Sequence, residues 1–154
     1  MAEQSEISSS LYELLNGGDL EGKQHVAMML LTVTEDEWPH TAMVSVGEVV
    51  ALDTKRLRLA LWPGTITTGN IVRSGQATLV AIHDGVAHYV RLRLSRLSEL
   101  PLARHPRERF AAKVVAVRED IAKYADINSG MTITLKDPVD VLNRWRETIL
   151  ELQE

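Results

Sequence analysis

The stretch "ATLVAIHDGVAHYVRLRLSRL", residues 77–97, decides how this chain folds. Two runs of strand-forming residues flank Asp84-Gly85, a dipeptide that accepts the positive φ angles of a tight turn, so the pair predicts a β-hairpin. Strands joined by tight turns pair antiparallel, which excludes an architecture built on parallel strands and crossover helices.

Working outward, the same signals recur upstream. "HVAMMLLTV" (25–33) is an apolar run too short for a good helix; the acidic turn "TEDEWP" (34–39) and then "HTAMVSV" (40–46) complete a second hairpin. After the loop "GEVVALDTK" (47–55), "RLRLALW" (56–62) sets Leu57, Leu59 and Leu61 against Arg56 and Arg58, the alternation of a half-buried strand. Nearer the amino terminus, "SSSLYELLNGG" (8–18) has Ser10 three residues before Glu13 and closes on Gly17-Gly18, so a short helix precedes the body. Downstream, Phe110, Val114, Val117 and Ile121 recur at helical spacing and predict an amphipathic helix over 104–124. "GMTITLKD" (130–137) reads as a strand. The final helix is signalled by Asp137 as N-cap, Pro138 in its first turn, and a stripe of Leu142, Trp145, Ile149 and Leu152.

These elements predict a mainly β chain with helices (α+β), forming one domain over 1–154. Residues 1–22 supply an amino-terminal helix and loop, and 137–154 a carboxy-terminal helix. About six antiparallel strands are too many for a single layer with its apolar faces covered, so closure into a small barrel is expected, with a partly open sandwich as the alternative.

Composition narrows the function. Lys and Arg number 17 against 21 Asp and Glu, a net charge of −4, so no general attraction to nucleic acid is expected. There is no cysteine, which removes disulfides, thiolate metal sites and a cysteine nucleophile. The five histidines lack the spacing of a zinc site, and no metal is assigned. "VAMMLL" is too short to span a bilayer and "MAEQSEISSS" lacks a targeting pattern, so a cytoplasmic protein without membrane attachment is expected. No nucleophile elbow or phosphate loop of known pattern is present. Arg91 and Arg93 share a face with Tyr89, which would suit an acidic ligand. The interleaved Glu99, Glu108 and Glu119 favour a salt-bridged exterior instead.

One segment points to chemistry. In "LWPGTITTGNIVRSGQ" (61–76), Pro63-Gly64 ends a strand and Gly75 releases the chain into the next, which leaves room for about two helical turns with Thr65, Thr67 and Thr68 at their start. First-turn amides have no intrahelical acceptor and carry partial positive charge, so they can receive a phosphate with hydroxyls as added donors. The same residues also suit a plain capped helix.

The order of "LLTVTEDEWPHTAMVSV", "LRLALWPGTITTGNIVRSGQATLVAI" and "DGVAHYVRLRLSRL", with the tail "KDPVDVLNRW", resembles the flavin-binding split-barrel family related to pyridoxamine 5′-phosphate oxidase, over roughly residues 25–97. The resemblance implies a homodimer of six-stranded antiparallel split β-barrels with flanking helices. It also implies FMN between the subunits and an FMN-dependent oxidoreductase whose chemistry belongs to the cofactor, with no catalytic side chain named. By that likeness Ala42, Val44 and Ser45 face the flavin ring, and Trp62, Thr65, Thr67, Thr68 and Asn70 line the phosphate end. Many members carry Lys or Arg three residues before the Asn, where this chain has Thr67, and a hydroxyl does not replace a charge-assisted bond to phosphate. The alternative is therefore a non-catalytic dimeric binding module with weak or lost flavin binding. Arg73 either adds charge or is a solvated surface residue, the second being the plainer reading.

Overall fold

The computed structural model describes residues 4–154. In chain order the elements are α1 (Ser9–Leu15), β1 (Ala27–Val33), β2 (Pro39–Ser45), β3 (Val49–Ala51), β4 (Arg56–Leu61), α2 (Ile66–Ser74), β5 (Gln76–His83), β6 (Val86–Arg96), β7 (Glu108–Asp120) and α3 (Pro138–Leu152). All seven strands join one antiparallel sheet in the order β2-β1-β5-β6-β7-β4-β3. The two edge strands, β2 and β3, are consecutive in the chain and separated only by residues 46–48. A sheet whose edges are tied by so short a link must curl until they meet, and the opening between them is the split of a half-closed barrel.

The concave face forms the core. Leu30 and Met28 from β1, Leu79 from β5, Val90 and Leu92 from β6, Phe110 and Val114 from β7, and Leu57 and Leu59 from β4 are all buried. Two helices close the interior. Helix α1 packs Leu11, Leu14 and Leu15 against β3 and β5, while α2 lies on β1, β2, β5 and β6. Helix α3 packs outside, against β3 and β4, through Leu142, Ile149 and Leu152. Its end is held by two arginines from neighbouring strands: Arg58 donates to the Leu152 carbonyl at 2.8 Å and Arg109 to the Glu151 carbonyl at 3.0 Å. Cations at a helix carboxy terminus satisfy carbonyls that have no intrahelical partner.

Several expectations hold. Asp84 and Gly85 take φ of 50° and 73° in the β5–β6 turn, Asp137 caps α3 with Pro138 in its first turn, and Gly17 is left-handed at φ 83° after α1. The cap of α1, however, is Ser8, whose Oγ accepts from Leu11 N at 3.1 Å, whereas Ser10 reaches across to Asp84.

Three expectations are corrected. The sheet has seven strands rather than six: Val49–Ala51, within the segment read as a loop, pairs with β4, residues 108–120 add a further strand, and 130–137 drops out. Residues 108–120 form β7, not a helix. The reason is a β-bulge: Arg91 pairs with Ala116 and Leu92 with Val114, so Val115 is extra and turns outward. Past the bulge the buried phase shifts by one residue, and Phe110, Val114 and Val117 acquire a helix-like spacing. Finally, residues 130–137 contribute only an isolated bridge between Thr132 and Val26. No helix among the described residues is long and apolar enough to cross a membrane.

Candidate functional site

Helix α2 begins where β4 breaks at Trp62-Pro63-Gly64, with Gly64 at φ 75°. Thr65 is the N-cap, extended at φ −90° and ψ 163°, and its Oγ1 accepts from Thr68 N at 3.1 Å. The helix ends at Gly75, left-handed, whose N–H donates to the Ile71 carbonyl at 2.7 Å. The segment is thus a nine-residue helix with both ends signalled by the residues expected to signal them.

Proton accounting at the mouth is specific. The Thr68 hydroxyl donates to the Trp62 carbonyl at 2.8 Å, and the Thr65 hydroxyl lies 3.0 Å from Thr68 Oγ1, to which it donates. Both hydroxyl protons are thereby used inside the turn. The donors left over are the amides of Ile66 and Thr67, which no residue of the first turn accepts. Trp62, Pro63, Gly64, Thr65 and Ile66 are all exposed, so this mouth opens to solvent.

The remaining residues singled out from sequence are distributed around it. Thr67 and Asn70 are buried on the inner side of α2, and Asn70 Nδ2 donates to Thr32 Oγ1 on β1 at 3.0 Å. Arg73, in the last turn, donates to the Val33 carbonyl and to Asn70 Oδ1, the latter at 3.2 Å. It is a latch between α2 and β1 rather than a free surface charge. On β2, Ala42 is half-buried while Val44 and Ser45 are buried. Helix α2 packs on this strand, so the strand and the mouth share one region.

Sequence reasoning missed three contributors. Glu48, in the β2–β3 link, accepts from both the backbone N–H and the hydroxyl of Ser45, at 3.0 and 2.8 Å. Burial pushes its carboxyl above the usual range, against the pull of those hydrogen bonds and of Arg107. Arg107 stacks on Trp62 with its guanidinium carbon 3.7 Å from the ring centroid, a cation–π contact beside the mouth. Trp145 of α3 lies on Gly47, where any Cβ would meet the indole at 2.0 Å. The pairings of Arg107 with Trp62 and of Trp145 with Gly47 have no local sequence signal, because each joins residues far apart in the chain; Glu48 and Ser45 are three residues apart, a turn within the β2–β3 link. Thr32 had one: it is a polar residue on the buried face of an apolar strand. Among the described residues no cluster of His, Asp or Glu is placed to hold a metal ion.

Comparison with known proteins places this geometry. No family model matches the chain. It is 47% identical over 147 residues to the uncharacterized protein YclD of Bacillus subtilis (strain 168), covering 96% of each. A crystal structure described as a candidate pyridoxamine 5′-phosphate oxidase from Lactobacillus delbrueckii superposes with a TM-score of 0.60 at 17% identity, over 77% of this chain and 99% of that one. HupZ of Group A Streptococcus, in its H111A form, gives 0.57 at 13% identity, over 73% and 98%. An FMN-binding protein from Syntrophomonas wolfei gives 0.50 at 17%, over 70% and 86%. The chain therefore belongs to one sequence family with YclD and carries the fold of the pyridoxamine 5′-phosphate oxidase-like split barrels.

Proposed function

We propose that this protein is an FMN-binding flavoprotein acting as an oxidoreductase, with the flavin held between two copies of the chain. The observation that carries this reading is the solvent-open amino terminus of α2, which offers two unused amides on a fold shared with an FMN-binding protein. The amides of Ile66 and Thr67 receive the phosphate; Trp62 and Thr65 shape the mouth, while the side chains of Thr67, Thr68 and Asn70 hold the helix in position. Ala42, Val44 and Ser45 support the ring from β2. FMN supplies hydride or electron transfer when bound, and the protein supplies orientation and a drier cleft.

Titration of purified protein with FMN tests the reading. Quenched flavin fluorescence and a raised melting temperature are expected. Protein that leaves both unchanged removes the proposal.

A second reading is favoured by one observation: the Thr65 and Thr68 hydroxyl protons are engaged internally, and at Thr67, where the family resemblance implies a cation, the chain offers none. A dimeric binding module without catalysis would then retain the barrel and bind flavin weakly. Rapid anaerobic bleaching of bound flavin by a nicotinamide donor decides against it.

A further inference from the structure

The outer face of the sheet carries a charge arrangement that the flavin reading does not use. Register places Arg56 of β4 opposite Lys113 of β7, and Lys113 opposite Arg93 of β6. Three exposed cations thus form one row across three adjacent strands. Like charges directly opposite across strands are destabilising, and the chain as a whole is acidic, so the row is not a by-product of a basic composition.

The row borders a groove of about 450 Å³ whose charged lining also includes Lys55 and Arg58, against a single carboxylate, Asp53. That carboxylate is committed: it accepts from Arg56 Nε at 2.9 Å and from the backbone N–H groups of Lys55 and Arg56. Arg58 is committed too, to the end of α3. Lys113 and Arg93 form no ion pair with any carboxylate among the described residues. By contrast Arg96, three residues beyond Arg93 at the end of β6, is paired with Glu108 at 2.6 Å. The salt-bridged exterior expected from sequence thus holds at Arg96 and Glu108 and fails at the neighbouring Arg93 and Lys113.

We propose that this row is a binding site for a small anion bearing two linked phosphoryl groups. Strands lie about 4.8 Å apart, so the outer cations are rooted roughly 10 Å from each other. Long, flexible side chains let Lys113 and Arg93 converge on one diphosphate beside the Arg56–Asp53 pair, whereas a monophosphate meets fewer of these cations at once. The apolar floor from Leu52, Ala111 and Ala112 leaves space beside the charges for an organic group on the anion, such as a nucleoside. The site is distinct from the mouth of α2: its cations sit on the outer face of the sheet and none of them belongs to the segment 62–68 that forms the mouth.

Calorimetric titration of the full-length protein with inorganic pyrophosphate tests this, with ADP and inorganic phosphate as parallel arms. Pyrophosphate or ADP should bind at least about tenfold more tightly than phosphate. Tighter binding of ADP than of pyrophosphate assigns the diphosphate to a nucleotide, and equal binding assigns it to the free anion. Lys113→Gln and Arg93→Gln should each weaken binding about tenfold, while Lys123→Gln, outside the row, leaves it unchanged. Because removal of a repelling charge is favourable, Lys113→Gln should melt no lower than the parent protein without anion, and should lose the melting-temperature gain that pyrophosphate brings. FMN titration of Lys113→Gln should match that of the parent, which separates this proposal from the flavin reading. Absence of binding heat, equal weakening by Lys123→Gln, or a lower melting temperature for Lys113→Gln without anion would overturn it.

Discussion

Gly47 is the position where one atom matters most. Its neighbour is the indole of Trp145, and an added Cβ would sit 2.0 Å from the ring, well inside contact distance. Gly47→Ala must therefore displace α3 or force Trp145 off its rotamer, and a loss of about 1–3 kcal/mol is expected from urea unfolding. Trp145→Ala in the same background should abolish that increment, because the clash is gone. His88 is the second decisive residue. It is 2% exposed, and neither ring nitrogen has a hydrogen-bond partner. Burial lowers its pKa below the ordinary value, although Glu119, 3.7 Å from Nδ1, the His83 backbone and Asp84 all favour the charged form, with the charge of the His83 imidazole opposing it. With the folded-state pKa depressed, the unfolded chain takes up a proton first as pH falls below about 6.5. Stability should be fully present above that value and decline toward the folded-state pKa. His88→Met should flatten this segment of the stability–pH curve; a parent protein equally stable at pH 7 and 5.5 would refute the assignment.

At the scale of elements, α2 is short enough to depend on its ends. Thr65 satisfies the Thr68 amide, and Gly75 supplies the left-handed cap. Thr65→Ala should cost about 1 kcal/mol through the lost cap. Under the flavin reading it should also weaken FMN binding, since the mouth frays. Thr65→Ser keeps the acceptor and should restore both, which distinguishes capping from the methyl group's packing. The β7 bulge is the other element-scale device. It turns Val115 outward while keeping Val114 and Val117 in the core, and so defeats a reading based on a single period.

For the whole molecule, the telling surface is the outer face of β1 and β2. Met29 pairs with Met43, Leu31 with Thr41 and Val33 with Pro39, and Met43 is 53% exposed. A continuous apolar run such as "VAMMLL" suits a strand covered on both sides. In the single chain Met28 and Leu30 face the core while Met29 and Leu31 are only half-buried. An apolar face left partly open on the outside of β1 and β2 supports the proposed dimer, and sedimentation velocity should give a two-chain species at micromolar concentration. Met43→Glu should shift it to monomer and weaken flavin binding together. A monomeric parent would remove the two-copy cleft.

Local chemistry alone was enough to specify the hairpins, the ends of α2 and α3, and the alternating faces of β4, because each depends on residues within a few positions: Asp84-Gly85, Thr65 with Gly75, Asp137-Pro138, Leu57 to Leu61. Tertiary structure decided the rest. The β-bulge exists only because β6 imposes a register on β7, and β3 becomes a strand only because β4 lies beside it. Arg107 meets Trp62, and Trp145 meets Gly47, only once the chain has folded. The cation row is likewise invisible along the chain, since Arg56, Arg93 and Lys113 become neighbours through pairing across three strands. Capping and turn preferences act over a few residues of backbone, whereas register, burial and charge proximity are set by distant segments that only the folded sheet brings within reach of one another.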